Sequence, residues 1–307
     1  MLNYKLKIFL KFLRSNKVIE EYELLFDSMF NYSKILNLSD DAIKRIMQDK
    51  SCAAIVLYEE INNIKLPDNV FQYIKGLKSK ELQKYALKMA TTKYIDTDLL
   101  GYITSVCEGS SIISSKCAYT LAMSDILDKN DDRMEYIGLV AMSDEDTAIQ
   151  MRDLLFERGF LDKKDNLELL RLVSQENEYV ARYMIKLYFD TNSTENLPIL
   201  SCAIGETQAR YTYEILKNSE VMNSDNGILI SFFVAQSEID DGYRIITLIR
   251  DGNYDGLYER VKEILKKDEE DINAEELFKS RSLDKIIAKL SRVSDDKDIK
   301  IKEKTYD

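Results

Sequence analysis

Residues 143–159 read SDEDTAIQMRDLLFERG. A small residue, Ala148, is followed by Met151, Leu154 and Leu155, the 0, 3, 6, 7 spacing of a helical stripe turned toward a core. Three acids crowd the start, where the helix dipole favours negative charge. Gly159 follows Arg158, as expected for a residue just past a helix end. The spacing predicts a helix over 144–158 with Ser143 at its cap. Just upstream, Met134, Ile137 and Ala141 put apolar groups on one face of an earlier helix that Ser143 breaks, so the unit is a pair of helices.

The small residue of that stripe recurs. Ala54, Ala86, Ala118, Ala148, Ala181, Ala209 and Gly242 are separated by 32, 32, 30, 33, 28 and 33 residues. Three positions after each stand Leu57, Met89, Leu121, Met151, Met184, Thr212 and Ile245. A beat near thirty residues with helical apolar spacing is the mark of stacked helix pairs. The fold expected is all-α, a right-handed superhelical α-solenoid of about seven helix-pair repeats with helical caps. Pair five shows the same design, with Leu167, Leu170 and Val173 on its first helix and Val180, Ala181, Met184 and Leu187 on its second. Pair seven has Phe233 and Val234, then Gly242, Ile245, Leu248 and Ile249, and closes at Gly252. Ser143, Ser174 and Ser237, with Ser79, fall where a hydroxyl accepts from the free N–H groups of the following helix. Ser143 with Asp146 and Ser237 with Asp240 have capping-box spacing. The recurrent residue is small because helices cross there closely, and Gly242, which costs its helix about 1 kcal/mol relative to Ala, marks an especially close contact.

The chain is organised as an N-terminal helical cap over 1–40, seven repeats over 41–252, capping helices over 253–293 and a flexible charged tail over 294–307. Pro67 falls between repeats one and two, and Pro198 where a helix begins. In the N-terminal segment Leu6, Phe9, Leu10 and Leu13 form an apolar arc with Ile8 and Phe12, opposite Lys7, Lys11 and Arg14. An end cap is the simplest role for it; a membrane-surface helix is the alternative. The second closing helix, 273–293, has Ala274, Leu277, Leu283, Ile286, Ile287 and Leu290 as its apolar set. With these anchors and this helix-pair texture, residues 41–250 resemble the HEAT, armadillo and TPR group of α-helical repeat proteins. The resemblance is at the level of fold, and it implies an elongated surface for docking other proteins.

Composition excludes much chemistry. The chain has 307 residues and no histidine, which removes the commonest general base and metal ligand together. Ser-His-Asp and Cys-His mechanisms are therefore closed within the chain, and no Gly-rich phosphate loop is present. Cys52, Cys107, Cys117 and Cys202 are widely spaced and read as buried thiols, which suits a reducing cytoplasm. No apolar run reaches the ~20 residues of a membrane span. The net charge is −11, yet residues 1–18 hold five bases and no acid, so the rest of the chain is strongly acidic. Phosphate binding rests on Lys and Arg, which disfavours direct nucleic-acid binding.

Two sets of candidate partner-binding residues remain. Lys88, Gln150, Tyr183, Tyr211 and Arg244 each stand two positions after an anchor. If the second helices line a concave surface, these five project into the groove, and Tyr and Arg are enriched at interface hot spots. Acids also cluster at the turn inside successive pairs: Asp144, Glu145 and Asp146; Glu176 and Glu178; Glu206; Glu238, Asp240 and Asp241. Turns stacked in register form a negative ridge suited to a basic partner. The function expected is non-catalytic: a cytoplasmic scaffold, without cofactor or metal, that binds a protein or peptide on its groove or ridge. The alternative is an acidic inhibitor or antidefence protein that blocks a nucleic-acid-handling partner by charge mimicry.

Overall fold

The computed structural model describes residues 4–92, 98–127, 132–154, 156, 166–224, 226–252 and 254–266. Among these residues the only regular structure is helical. The chain divides into two compact units, the boundary falling after Ala148 inside a helix.

The first unit opens with α1 (Tyr4–Ser15) and α2 (Val18–Phe26), then a 3-10 turn (Tyr32–Asn37) and α3 (Asp40–Gln48). It continues through α4 (Ala53–Asn62), α5 (Asp68–Gly76), α6 (Lys80–Thr92), α7 (Leu99–Cys107), α8 (Ile112–Met123) and α9 (Arg133–Met142). Side-chain oxygens of Ser39, Asp98 and Ser111 accept backbone N–H bonds at the starts of α3, α7 and α8. Pro67 stands just before α5. Helices α5, α7 and α9 touch in succession, α6 touches α8, and α8 lies along α9. The N-terminal segment does more than close one end, because α2 packs on both α4 and α6. Phe26 stacks on Tyr58 with ring centroids 3.7 Å apart, and Asp27 accepts from Lys84 and Lys88.

The helix α10 (Glu145–Leu154) carries the boundary. The second unit then holds α11 (Leu167–Val173), α12 (Glu178–Thr191), the short α13 (Leu197–Leu200), α14 (Glu206–Leu216) and the short α15 (Ser219–Met222). It ends with α16 (Gly227–Gln236), α17 (Ile239–Arg250) and α18 (Leu257–Lys266). Pro198 sits in the first turn of α13, where its missing N–H leaves no bond unmade. Helix α14 is central, touching α12, α16 and α17. Gly252 ends α17 at φ 69°. Of the predicted C-terminal caps, the first corresponds to α18; the second and the tail lie outside the described residues, as do Leu155, Arg158 and Gly159.

All seven recurrent small residues lie in helices and are buried, one each in α4, α6, α8, α10, α12, α14 and α17. The seven residues three positions on, from Leu57 to Ile245, are fully buried as well. Thr212 is the one hydroxyl in that series, and its Oγ1 has no hydrogen-bond partner among the described residues. A Cβ on Gly242 would stand 3.0 Å from Ser237 Oγ and 3.2 Å from the Tyr211 ring. The close contact expected there is therefore with side chains.

The serines act differently from expectation. Ser143 Oγ donates to Val140 O at 2.7 Å, Ser237 Oγ to Val234 O at 3.0 Å and Ser174 Oγ to Arg171 O at 3.2 Å. Each finishes the helix behind it by occupying one of the free C-terminal carbonyls. The following helices are capped by others: Asp144 accepts from Thr147 N at 2.8 Å, and Asn177 from Tyr179 N and Val180 N. The proposed capping boxes at Ser143 and Ser237 do not form, because the N-cap position falls one residue later, at Asp144 for α10 and at Glu238 for α17. Ser79 alone behaves as predicted, accepting from Leu82 N.

Carbonyls at the ends of α9 and α16 accept from residues at the starts of α8 and α14. In the first unit Ser110 N donates to Ala141 O at 2.9 Å and Ser114 Oγ to Ser143 O at 2.9 Å. In the second, Ile204 N donates to Ala235 O at 3.3 Å and Gln208 Nε2 to Ser237 O at 3.2 Å. Ala141 and Ala235 both lie seven residues before an anchor, and Ser143 and Ser237 five. The same two carbonyls are thus used at matching positions.

Candidate functional site

Of the five residues expected to line a groove, two are core. Tyr183 and Tyr211 are only 8% and 5% exposed. The Tyr183 ring lies 5.5 Å from that of Tyr213, under the ammonium of Lys186 at 5.0 Å, and Tyr211 belongs to the cluster with Ile215, Phe233 and Ile245. The Tyr211 ring fills the space beside Gly242, and neither tyrosine is free surface. Lys88 is half-buried and donates to Asp27 Oδ2 at 2.6 Å. Gln150 accepts from Arg182 Nε at 3.4 Å. Arg244 is exposed, and its Nη1 lies 3.2 Å from Asp241 Oδ1.

Arg244 also borders an open cleft of about 400 Å³ between α17 and α18, with Tyr243, Thr247, Leu248, Arg260 and Ile264. Tyr213, nearby in the chain to Tyr211, donates to Asp190 Oδ2 at 2.5 Å. Burial, reinforced by that carboxylate, pushes its phenol up to about 12, so it stays a neutral donor.

The acids behave unevenly. In the first unit Asp144, Glu145 and Asp146 are exposed, and Asp144 is committed to capping α10. In the second, Glu176 and Glu178 are half-buried, and Asp241 is buried against Arg244. Arg182 lies within 4.0 Å of Glu178 and 3.9 Å of Glu206, offsetting both. Glu238 and Asp240 are exposed and make no ion pair among the described residues. An even band of free carboxylate is therefore not what the turns carry.

What sequence reasoning missed lies among those acids. Ile204 is 60% exposed and Ile239 54% exposed. The bonds from Ile204 to Ala235 and from Gln208 to Ser237 hold the turn before α14 against the start of α17. The turn that carries Ile204 and Glu206 is thereby tied to the turn that leads into Glu238, Ile239 and Asp240, so two exposed isoleucines stand on linked turns that also carry exposed carboxylates. A helical stripe pattern cannot find these isoleucines, since each sits at a helix entry and outside the stripe.

Other chemistry is sparse. Among the described residues no three Cys, Asp or Glu side chains converge as metal ligands, and no helix is long and apolar enough to cross a membrane. The four cysteines are free thiols. Burial raises Cys52 to about 11 and Cys107 to about 12, which keeps both protonated and unreactive. Comparison of the chain with protein-family models, with curated proteins and with solved structures returns no match.

Proposed function

We propose that the chain is a non-catalytic scaffold, a right-handed stack of about seven helix pairs, that binds a basic, amphipathic segment of another protein. The stack is supported by the seven buried small residues and by the layer-joining bonds at equal offsets before Ala148 and Gly242. The observation that carries the binding role is the exposure of Ile204 and Ile239 on two hydrogen-bonded turns, the second of which also carries the exposed Glu238 and Asp240. Exposed aliphatic area gives affinity once covered, and the carboxylates steer and orient a cationic partner. The charge-mimicry alternative is less well supported, since Arg182 and Arg244 offset several of the acids it needs and the isoleucines have no counterpart in a phosphate array.

A synthetic amphipathic helix with Lys and Leu on one face tests the reading by fluorescence anisotropy. Binding at low salt, weakened at least tenfold by E238K/D240K and by Ile239→Ser, is expected. Equal binding by wild type and both variants overturns it.

A further inference from the structure

Helix α1 buries Phe9 and Leu13 and turns the opposite face outward. That face consists of Tyr4, Lys7, Ile8 and Lys11, neighbours at i, i+3, i+4 and i+7, and all four are exposed. Tyr4 is 77% exposed. Arg14 extends the face, its guanidinium 5.9 Å over the half-exposed ring of Tyr32. Lys7 and Lys11 make no ion pair among the described residues, and Lys5 pairs with Asp40. The face is thus two apolar side chains flanked by unpaired ammonium groups. The edge on the second unit is two isoleucines flanked by unpaired carboxylates. Each has the chemistry the other lacks, and both belong to one chain whose charge is otherwise strongly of one sign.

Resting on the scaffold reading, we propose that the partner of the Ile204–Ile239 edge is the α1 face of a second copy of this chain. Tyr4 and Ile8 cover the isoleucines, and Lys7 and Lys11 pair with Glu238 and Asp240. The two surfaces differ, so the contact is head-to-tail and each copy keeps one free end. Chains of copies then grow with concentration. The apolar contact is small and the ion pairs lie at a wet rim, so assembly is weak and strongly salt-dependent.

Sedimentation velocity of the full chain tests this with two variants, K7E/K11E and E238K/D240K. Wild type grows past the dimer as concentration rises in low salt and returns to monomer in about half-molar salt. Each variant alone is monomeric, one lacking the donor face and the other the acceptor edge. Mixed in equal amounts they form a one-to-one complex that grows no further, because each retains the surface its partner needs. Circular dichroism confirms that both variants remain helical. Wild type that stays monomeric, or variants that assemble as wild type does, overturns the proposal. Vesicles containing phosphatidylserine form a separate arm, and capture of wild type through α1 without growth also overturns it. If self-association fails while the Lys/Leu peptide still binds wild type and not E238K/D240K, the scaffold reading stands alone; loss of both removes both.

Discussion

Gly109 and Gly138 lie in the same region of the chain and demand opposite things. A Cβ on Gly109 would meet Ser115 Oγ at 2.6 Å and the Ala141 carbonyl at 2.9 Å, where the turn passes beneath the end of α9. Gly138 is inside α9 with nothing within 4 Å. Gly109→Ala is expected to destabilise by about 1–3 kcal/mol through overpacking, and Gly138→Ala to stabilise by up to ~1 kcal/mol through helix propensity, both read from urea midpoints. Thr212→Val removes a buried hydroxyl with no partner and should be neutral or stabilising by about 1 kcal/mol. Two carboxylates give opposite pH signs. Asp49 is held below the usual range by Lys75 and Ser51, so its contribution is present above its unfolded pKa and lost as pH falls. Burial raises Glu59, whose carboxylate accepts from Leu66 N at 2.8 Å. It therefore weakens the fold as pH climbs through its raised pKa. Glu59→Gln keeps an acceptor and should leave neutral-pH stability equal or higher, whereas Glu59→Ala strands the amide at a cost of about 1–3 kcal/mol.

At the scale of the element, ends decide more than middles. The apolar stripes fixed which face of α10, α12 and α17 is buried, but not what holds their first turns. Asp144 and Asn177 accept at helix starts where serine was expected. Asp144→Ala and Asn177→Ala are expected to cost about 1 kcal/mol each, seen as lower thermal midpoints. Ser143→Ala should cost less, since its hydroxyl only supplements the end of α9. The difference arises because the residue at a break between two helices is a C-cap or an N-cap according to its backbone angles. Both choices present the same side chain to a reader of the sequence.

At the scale of the whole molecule, the proposed stack predicts damage confined to near neighbours. Ala209→Leu overpacks α14, which touches α12, α16 and α17. Hydrogen exchange should show those helices losing protection while α3 and α4 keep theirs. A uniform loss across the chain would count against the proposed stack. The acidic composition also takes a different form here from the one expected, because several of the acids at the turns are engaged by Arg182, Arg244 or a helix start.

The positions of the buried anchors, the stripe residues from Leu57 to Ile245, and the all-helical class were settled by periodicity alone. Burial repeats with the turn of a helix, so a small residue recurring on one face marks the side that is buried. Tertiary structure alone decided that Tyr183 and Tyr211 fill the core, that Lys88 is spent on Asp27, and that Ile204 and Ile239 are exposed on turns tied together by hydrogen bonds. Those outcomes depend on which elements meet across about thirty to sixty residues of intervening chain, and local spacing carries no record of that.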